Sequence, residues 1–385
     1  MGDTGRFVGE EIRRLDAAGL RRRLRTLSAS GPRPVLDGRP LVSFASNDYL
    51  GLAADRRLVE ALGRGAAEEG AGAGAARLLG GSRPAHHALE RAVASFKGTE
   101  AALLFGSGFV ANATVIPALA GEGDLLVSDR LNHASVVDGC RLSRAEVSVV
   151  PHADPGAIRA ALGRGGFRRR VVVVEGLHSM EGTVAPLRAI RDAARAHDAL
   201  LVLDDAHGNG VLGPGGRGAA AAAGLEPGPD LLEIGTFGKA FGGFGAFVAW
   251  TADGIEWLRH AARGFVFSTA LPPGVAAMDL EGMRVAAAEP DRRARAGALG
   301  DRLRAALGGA AGGGAGSPIV PVPVGGAAEA ARLAERLLEG GIWAPAVRPP
   351  TVPEGSARLR VSLTAAHREE EVDALAAALR EALRG

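Results

Sequence analysis

The sequence predicts an α/β chain: a large domain with a mostly parallel sheet between helices, then a smaller α+β domain at the C-terminal end. Three observations lead there. From about residue 100 to 250, short apolar runs alternate with amphipathic stretches bounded by Gly and Pro. Several of those runs are near-continuous Val, Leu and Ile, as strands covered on both faces must be. After about residue 270 the chain turns to long Ala/Arg-rich helical stretches with fewer apolar runs.

Taken in order, residues 1–45 read as a helical arm followed by a strand at 41–44, an arm expected to pack with the small domain. Residues 46–272 form the large domain, with strands expected at 101–105, 125–128, 147–150, 171–175, 200–204, 231–235 and 246–250. The segment 186–197 is a helix on its apolar spacing. Residues 273–385 begin with one long helical stretch, 273–307. They continue with strands at 319–324, 342–347 and 358–362 and helices at 327–339 and 369–383. The glycine run at 308–316 is a surface connection and not a phosphate loop, because no strand leads into it.

Composition narrows the function classes. At 385 residues and 47% hydrophobic, the chain has enough apolar surface for two domains. The formal net charge is +2 and the basic residues are scattered, which argues against nucleic acid as a partner. The tightest basic cluster, Arg21-Arg22-Arg23-Leu24-Arg25, reads as a solvated helix face. Cys140 stands alone, so disulfide frameworks and thiolate metal sites are excluded within one chain, and no metal site is expected. There is no long apolar run and no apolar signal core at the N-terminus, which leads to an expectation of a soluble, cytoplasmic protein without a membrane partner.

Lys and Arg together number 45, yet only Lys97 and Lys239 are lysines. A composition that replaces lysine almost everywhere should keep it where arginine cannot serve. Arginine holds its proton; a desolvated lysine can lose it and condense with an aldehyde. Lys239, in Thr236-Phe237-Gly238-Lys239-Ala240-Phe241-Gly242-Gly243, is the candidate for that chemistry. Lys97 reads as a solvated residue near a helix end.

In parallel α/β sheets ligands gather at the C-terminal ends of strands, and the suggestive residues fall there. Gly106-Ser107-Gly108-Phe109 follows one expected strand and opens a helix, offering amides to an anion. Asn132-His133-Ala134-Ser135, Glu175-Gly176-Leu177-His178-Ser179, Asp204-Asp205-Ala206-His207 and Thr236-Phe237-Gly238-Lys239 follow others. Singly, each has an ordinary reading as a turn, a cap or a surface histidine. Five in order, ending on a rare lysine, suit pyridoxal phosphate. That cofactor needs an imine-forming lysine, an acidic partner for its pyridine nitrogen, a phosphate cradle and a flat surface against its ring. Asp204 is the acidic partner on this reading.

Ser46-Asn47-Asp48-Tyr49-Leu50-Gly51-Leu52, His86-His87-Ala88-Leu89-Glu90 and the three motifs Asn132-His133-Ala134-Ser135, Asp204-Asp205-Ala206-His207-Gly208 and Thr236-Phe237-Gly238-Lys239 together make the chain resemble the α-oxoamine synthase family. These are pyridoxal-phosphate enzymes of the aspartate-aminotransferase fold (fold type I), and the likeness runs from about Leu20 to the last helix. The resemblance implies that Lys239 bonds the cofactor and moves the Cα proton, and that Asp204 pairs with the pyridine nitrogen. His207 and Ser179 would lie near the ring hydroxyl, His133 on the ring face, and Gly108, Phe109 and Thr236 at the phosphate. Arg348 would hold the amino-acid carboxylate, with Asn47 nearby, and Arg21 and Thr351 would contact the acyl substrate.

Within the family, Arg348-Pro349-Pro350-Thr351-Val352-Pro353, Arg358-Leu359-Arg360 and Thr364-Ala365-Ala366-His367 most resemble the branch serving biotin synthesis. That branch condenses L-alanine with a pimeloyl thioester, carried on coenzyme A or on acyl carrier protein. Branches using glycine or serine are the alternatives, and a non-catalytic binding protein is an alternative of another class. A homodimer is implied, with Ser268 and Thr269 at the shared site. Three positions depart from the family pattern. His178 stands where an aromatic residue is usual, Phe267 where Tyr is frequent, and Ala75 lies in a stretch that usually holds Ser.

Overall fold

A computed structural model of the chain describes residues 3–22 and 24–384; Arg23 of the basic cluster lies outside the described residues. The chain divides into two units. The larger comprises Asn47–Ser179 and Thr183–Ala294; the smaller takes the described residues up to Ser46, Met180–Gly182, and those from Arg295 onward.

The larger unit is built on one seven-stranded sheet. Its strands are β1 (Ala101–Phe105), β2 (Leu125–Asp129), β3 (Glu146–Val150), β4 (Arg170–Glu175), β5 (Leu200–Asp204), β6 (Leu231–Thr236) and β7 (Ala246–Trp250). They lie in the order β1-β7-β6-β5-β4-β2-β3. The pairings from β6 across to β3 are parallel, while β7 runs antiparallel to β6 and β1. All seven strands stand where the apolar runs place them, to within a residue at each end.

The uninterrupted apolar pattern has a direct cause. Leu126, Val171, Val173, Val202, Leu232 and Val248 enter one core, with Val115, Ile116 and Ile255 from helices. Their alternating neighbours Leu125, Val127, Val172, Val174, Leu201 and Leu203 enter a second core with Ile158, Leu187 and Ile190. Side chains alternate across a sheet, so covering both faces demands apolar residues at every position.

The smaller unit holds β8 (Ile319–Gly325), β9 (Ile342–Trp343), β10 (Ala346–Val347) and β11 (Ala357–Ser362). β8, β11 and β10 form an antiparallel sheet in that order, and β9 pairs in parallel with Val42–Ser43 of the N-terminal arm. Its core gathers Phe44, Leu299, Leu303, Val320, Val322, Leu333, Leu359, Val361 and Leu375. Among the described residues no helix is long and apolar enough to cross a membrane.

Four expectations need correction. Arg21, Arg22, Leu24 and Arg25 lie beyond the arm's helix, which ends at Ala17, so these members of the basic cluster are exposed but form no helix face. The helical stretch 273–307 is two helices, Pro273–Ala288 and Pro290–Leu307. Glu289 between them has φ −118° and ψ 66°, because Pro290 disfavours the helical region for the residue before it. The strand expected at 342–347 is interrupted at Ala344-Pro345, where proline offers no N–H for a ladder.

Lys97 is not solvated. It ends the helix Pro84–Lys97 as a buried residue with 3% exposure. Its Nζ lies 2.6 Å from Glu233 Oε2 and 4.0 Å from Asp205 Oδ2. It also donates to Asn209 Oδ1 at 3.0 Å and to the Arg217 carbonyl. All four partners come from residues 205–233, so its local sequence carried no sign of them.

Candidate active site

The loop carrying Lys239 joins the antiparallel strands β6 and β7. Phe237 N–H donates to Gly245 O at 3.0 Å, Gly243 N–H to Phe237 O at 2.9 Å, and Gly242 N–H to Lys239 O at 3.0 Å. Phe237 and Phe241 anchor it as wholly buried side chains. Gly242 has φ +68°, and a Cβ there would sit 2.5 Å from the Leu52 carbonyl carbon. A Cβ on Gly243 would sit 1.9 Å from Asp279 Oδ1, the atom that accepts Phe244 N–H at 3.0 Å. Glycine is therefore required at both positions. Burial holds the Asp279 carboxyl well above the usual carboxylate range.

Lys239 Nζ lies 2.7 Å from His207 Nε2. His207 Nδ1 lies 2.7 Å from the Tyr49 hydroxyl, which donates to Asn47 Oδ1 at 3.3 Å. The direction of this chain is set at its end, because an amide oxygen only accepts. Tyr49 gives its proton to Asn47, its oxygen takes the His207 Nδ1 proton, and Nε2 is left to accept from the lysine amine. Three side chains, His207 after β5 and Tyr49 and Asn47 from the segment that opens the unit, thus hold the lysine in a chain of hydrogen bonds.

Asp204 closes β5. Its Oδ1 accepts the Ala206 amide at 3.0 Å and its Oδ2 accepts Asn112 Nδ2 at 2.5 Å. The same Asn112 nitrogen reaches Ser135 Oγ at 2.9 Å, and that hydroxyl lies 2.8 Å from His133 Nδ1. His133 caps the helix Ala134–Leu142 and keeps one side open to solvent. Partial burial lowers its pKa, Asp204 opposes this, and Lys239 adds to the lowering. The ring stands neutral, a flat surface with no charge of its own.

Glu175 is the register partner of Asp204 on β4. Burial first and the neighbouring Asp204 second raise its carboxyl, against the Ser179 amide, to about 8. That amide donates to Glu175 Oε2 at 3.0 Å and so sets the position of Ser179.

At the end of β1, Ser107 Oγ accepts Val110 N–H at 3.2 Å and starts the helix Gly108–Leu119. The amides of Gly108 and Phe109 precede the first helical hydrogen bond, as anion-binding amides do. A Cβ on Gly108 would rest 3.9 Å from Thr236 Cβ, which brings the helix start against the lysine loop. The Thr236 hydroxyl donates to Gly245 O at 2.7 Å and accepts Gly238 N–H at 3.2 Å.

The larger unit thus assembles Lys239, His207, Asp204, His133, Thr236, Gly108, Phe109 and Ser179 at or just beyond the ends of its strands, with Asn47 joining them from the segment that opens the unit. Arg21, Arg348 and Thr351 belong to the smaller unit. There Arg21 pairs with Asp16 at 2.7 Å, and Arg348 donates to the Gly19 carbonyl. The neighbour Arg22, rather than Arg21, reaches Thr351 Oγ1 at 3.4 Å.

Sequence reasoning passed over Tyr49, Asn112, Ser135 and Glu175. Tyr49 carried the same signal as the lysine: it is the one tyrosine in a chain with 12 phenylalanines. A hydroxyl kept once has a bonding task. Asn112, one turn into an apolar helix, gave a weaker signal of the same kind.

This donor set fits pyridoxal phosphate: a lysine amine, a carboxylate pinned by an amide and an asparagine, a neutral imidazole face, and helix amides beside a threonine. The chain belongs to the aminotransferase class I and II family, whose family model matches residues 39–379. It is similar to the 8-amino-7-oxononanoate synthase of Anaeromyxobacter dehalogenans, 49% identical over 97% of this chain and 94% of that protein. Among solved structures it resembles a serine palmitoyltransferase from S. paucimobilis, with TM-score 0.93 and 30% identity over 100% of this chain and 99% of the other. It also resembles 8-amino-7-oxononanoate synthase from Francisella tularensis, with TM-score 0.78 and 27% identity over 89% of this chain and 98% of that one.

Proposed function

We propose that this protein is a pyridoxal-phosphate-dependent acyltransferase of biotin biosynthesis. It condenses L-alanine with a pimeloyl thioester to give 8-amino-7-oxononanoate, carbon dioxide and the free thiol. The carrying observation is the 49% identity, over 97% of the chain, to a protein of that name. The serine palmitoyltransferase likeness rests on 30% identity, and a shared fold does not choose the substrate.

Bound in the site, the cofactor supplies an electron sink for charge developing at the amino-acid Cα. The residues divide the remaining work. Lys239 would hold the cofactor and would take the Cα proton on Nζ. His207 Nε2 keeps that amine oriented, and accepting one of its hydrogens leaves the nitrogen lone pair for the substrate. Asp204 accepts the hydrogen bond of the pyridine nitrogen, with its own orientation held by Asn112 and Ala206. His133 would lie against the ring, Ser179 and His207 would serve the ring hydroxyl, and Gly108, Phe109 and Thr236 would serve the phosphate. Arg348 for the carboxylate, and Arg21 and Thr351 for the acyl substrate, belong to the same proposal.

The proposal includes a homodimer. Leu78, Leu79 and Phe267 are 55%, 81% and 72% exposed. Their segments are joined by the Ala76–Thr269 bridge and by Ala270 N–H on Ala75 O. Large apolar side chains left open on connected segments suit a partner surface.

The test is product analysis by mass spectrometry on cofactor-loaded protein. The substrate pairs are L-alanine with pimeloyl-CoA or pimeloyl-acyl carrier protein, glycine with acetyl-CoA, and L-serine with palmitoyl-CoA. We expect 8-amino-7-oxononanoate from alanine and a pimeloyl thioester alone. Turnover confined to the glycine or serine pair would overturn the substrate assignment.

A further inference from the structure

Asp129, His152 and His178 come from three separate strand ends of the larger unit. Asp129 closes β2, His152 follows β3, and His178 follows β4. Each offers one metal-ligating atom, and these atoms all lie within 4.8 Å of one another. No spacing rule in the sequence finds such a group, because the sheet order alone makes the three loops neighbours.

His178 is the informative member. It is 1% exposed. Its Nδ1 lies 3.2 Å from the Thr183 carbonyl oxygen, which only accepts, so the ring proton sits on Nδ1. Nε2 is then a bare lone pair, fully buried and with no hydrogen-bond partner in the protein. Leaving a buried acceptor unmet is costly, and a fold keeps such an atom for a reason. An imidazole with its Nδ1 proton on a backbone carbonyl and Nε2 free is the arrangement of a metal-binding histidine.

The other two members are also oriented. Asp129 accepts the amides of Leu131 at 2.8 Å and Ala153 at 2.7 Å, which pins its carboxylate. Its oxygens lie 3.1 and 3.2 Å from His152 Nδ1. The His152 and His178 rings meet edge to face, with centroids 4.2 Å apart.

We propose that Asp129, His152 and His178 bind one divalent transition-metal ion of the zinc class, through one carboxylate oxygen and two imidazole nitrogens, with water in the fourth position. Bonds of about 2.0–2.2 Å in a tetrahedron hold ligand atoms roughly 3.3–3.6 Å apart. The Asp129–His152 separation of 3.1 Å is already close to that, and a ligand atom of His178 lies within 4.8 Å of both. Two imidazoles with one carboxylate select zinc, cobalt or nickel over magnesium and calcium, which prefer oxygen. The ion clips the loops after β2, β3 and β4 together, one residue from Ser179. It takes no part in the condensation proposed above, so the two readings stand or fall separately.

The test uses tag-free, cofactor-loaded protein, dialysed against zinc and then against metal-free buffer, with metal content read by atomic emission. A parallel cobalt titration reads the d–d bands of a tetrahedral site. The expected result is one zinc per chain, tetrahedral cobalt bands, and no competition from magnesium. His178→Phe keeps a flat ring and removes both nitrogens. It should weaken zinc binding by at least about 10–100-fold, as should Asp129→Asn. Zinc should raise the melting temperature of the wild type and not that of His178→Phe. Wild-type protein holding no zinc above the dialysis blank overturns the proposal. So does His178→Phe holding as much zinc as wild type, since the ion would then lie elsewhere.

Discussion

Replacing Lys97 tests the buried charge cluster behind the lysine loop most directly. Lys97→Met keeps the stem and removes the ammonium. Glu233 and Asp205, at 3% and 0% exposure, then share a closed space with no cation. Breaking a buried ion pair by removing one partner costs about 3–5 kcal/mol. At 1.36 kcal/mol per tenfold, that is roughly a 10²–10⁴-fold change in the unfolding equilibrium. The urea midpoint should fall at nearly unchanged slope, because the surface exposed on unfolding hardly changes. Lys97→Arg should restore little: a planar five-donor fork does not fit where a compact ammonium meets two carboxylates, an amide oxygen and a carbonyl.

The same cluster predicts how the deficit varies with pH. Burial pushes Asp205 up to about 7, and Lys97 works against that rise. Without Lys97 the carboxyl rises further, so near neutrality the variant's folded state binds more protons than the wild type's. Stability changes with pH as the protons bound unfolded minus those bound folded. The variant therefore loses stability faster as pH rises, and its deficit should widen from about pH 5 to about pH 8. A cost below about 0.5 kcal/mol, the scale of a surface substitution, or a deficit flat across that range would refute the reasoning.

Three further outcomes follow from the site. Lys239→Ala should lower product formation by at least about 10²–10⁴-fold with an unchanged melting curve, and substantial remaining turnover would sink its assignment. Tyr49→Phe removes the hydroxyl that lies 2.7 Å from His207 Nδ1, a hydrogen bond worth about 0.5–1.5 kcal/mol; kcat should fall about 2- to 13-fold and its pH profile should move, while the KM for alanine holds. Glu175→Gln should gain stability relative to wild type as pH rises from about 5 to about 8 in cofactor-free protein. The folded Glu175 pKa, about 8, lies above its ordinary value, so the wild type loses stability across that interval as the unfolded chain releases a proton that the folded carboxyl keeps; thermal melts at a series of pH values decide it.

What was legible in the sequence was what one-dimensional patterns must reveal. A sheet covered on both faces needs unbroken apolar runs, and strand ends in a parallel sheet must carry the ligand groups, so β1 to β7 and the order of the site motifs could be read. Helix 273–307 was read through Glu289 because alanine and arginine favour helix on both sides and a single Pro290 carries the break. Lys97 was misread for a different reason. Its neighbours in sequence, Phe96, Gly98 and Thr99, look like a helix end at the surface. The partners that bury it lie 108 to 136 positions onward, at Asp205, Asn209, Arg217 and Glu233. The Asp129, His152 and His178 group was invisible for the same reason, since neighbouring strand ends are far apart in sequence.

The rarity of lysine nonetheless carries further than the argument drawn from it. A chain that supplies nearly all its positive charge as arginine keeps lysine twice, and both lysines stand where guanidinium would fail. At position 239 the proposed function makes the need chemical, an amine that can give up its proton, and its Nζ lies 2.7 Å from His207 Nε2. At position 97 the need is geometric, a point charge small enough for an enclosed set of acceptors. The two sites are linked by the strands between them. Glu233 lies on β6, whose end delivers Lys239, and Asp205 follows the residue at the end of β5 that is assigned to the pyridine nitrogen. An ammonium locked between those two carboxylates holds the ends of β5 and β6 in fixed relation. That fixed relation is what a lysine and an aspartate must have to work on one ring.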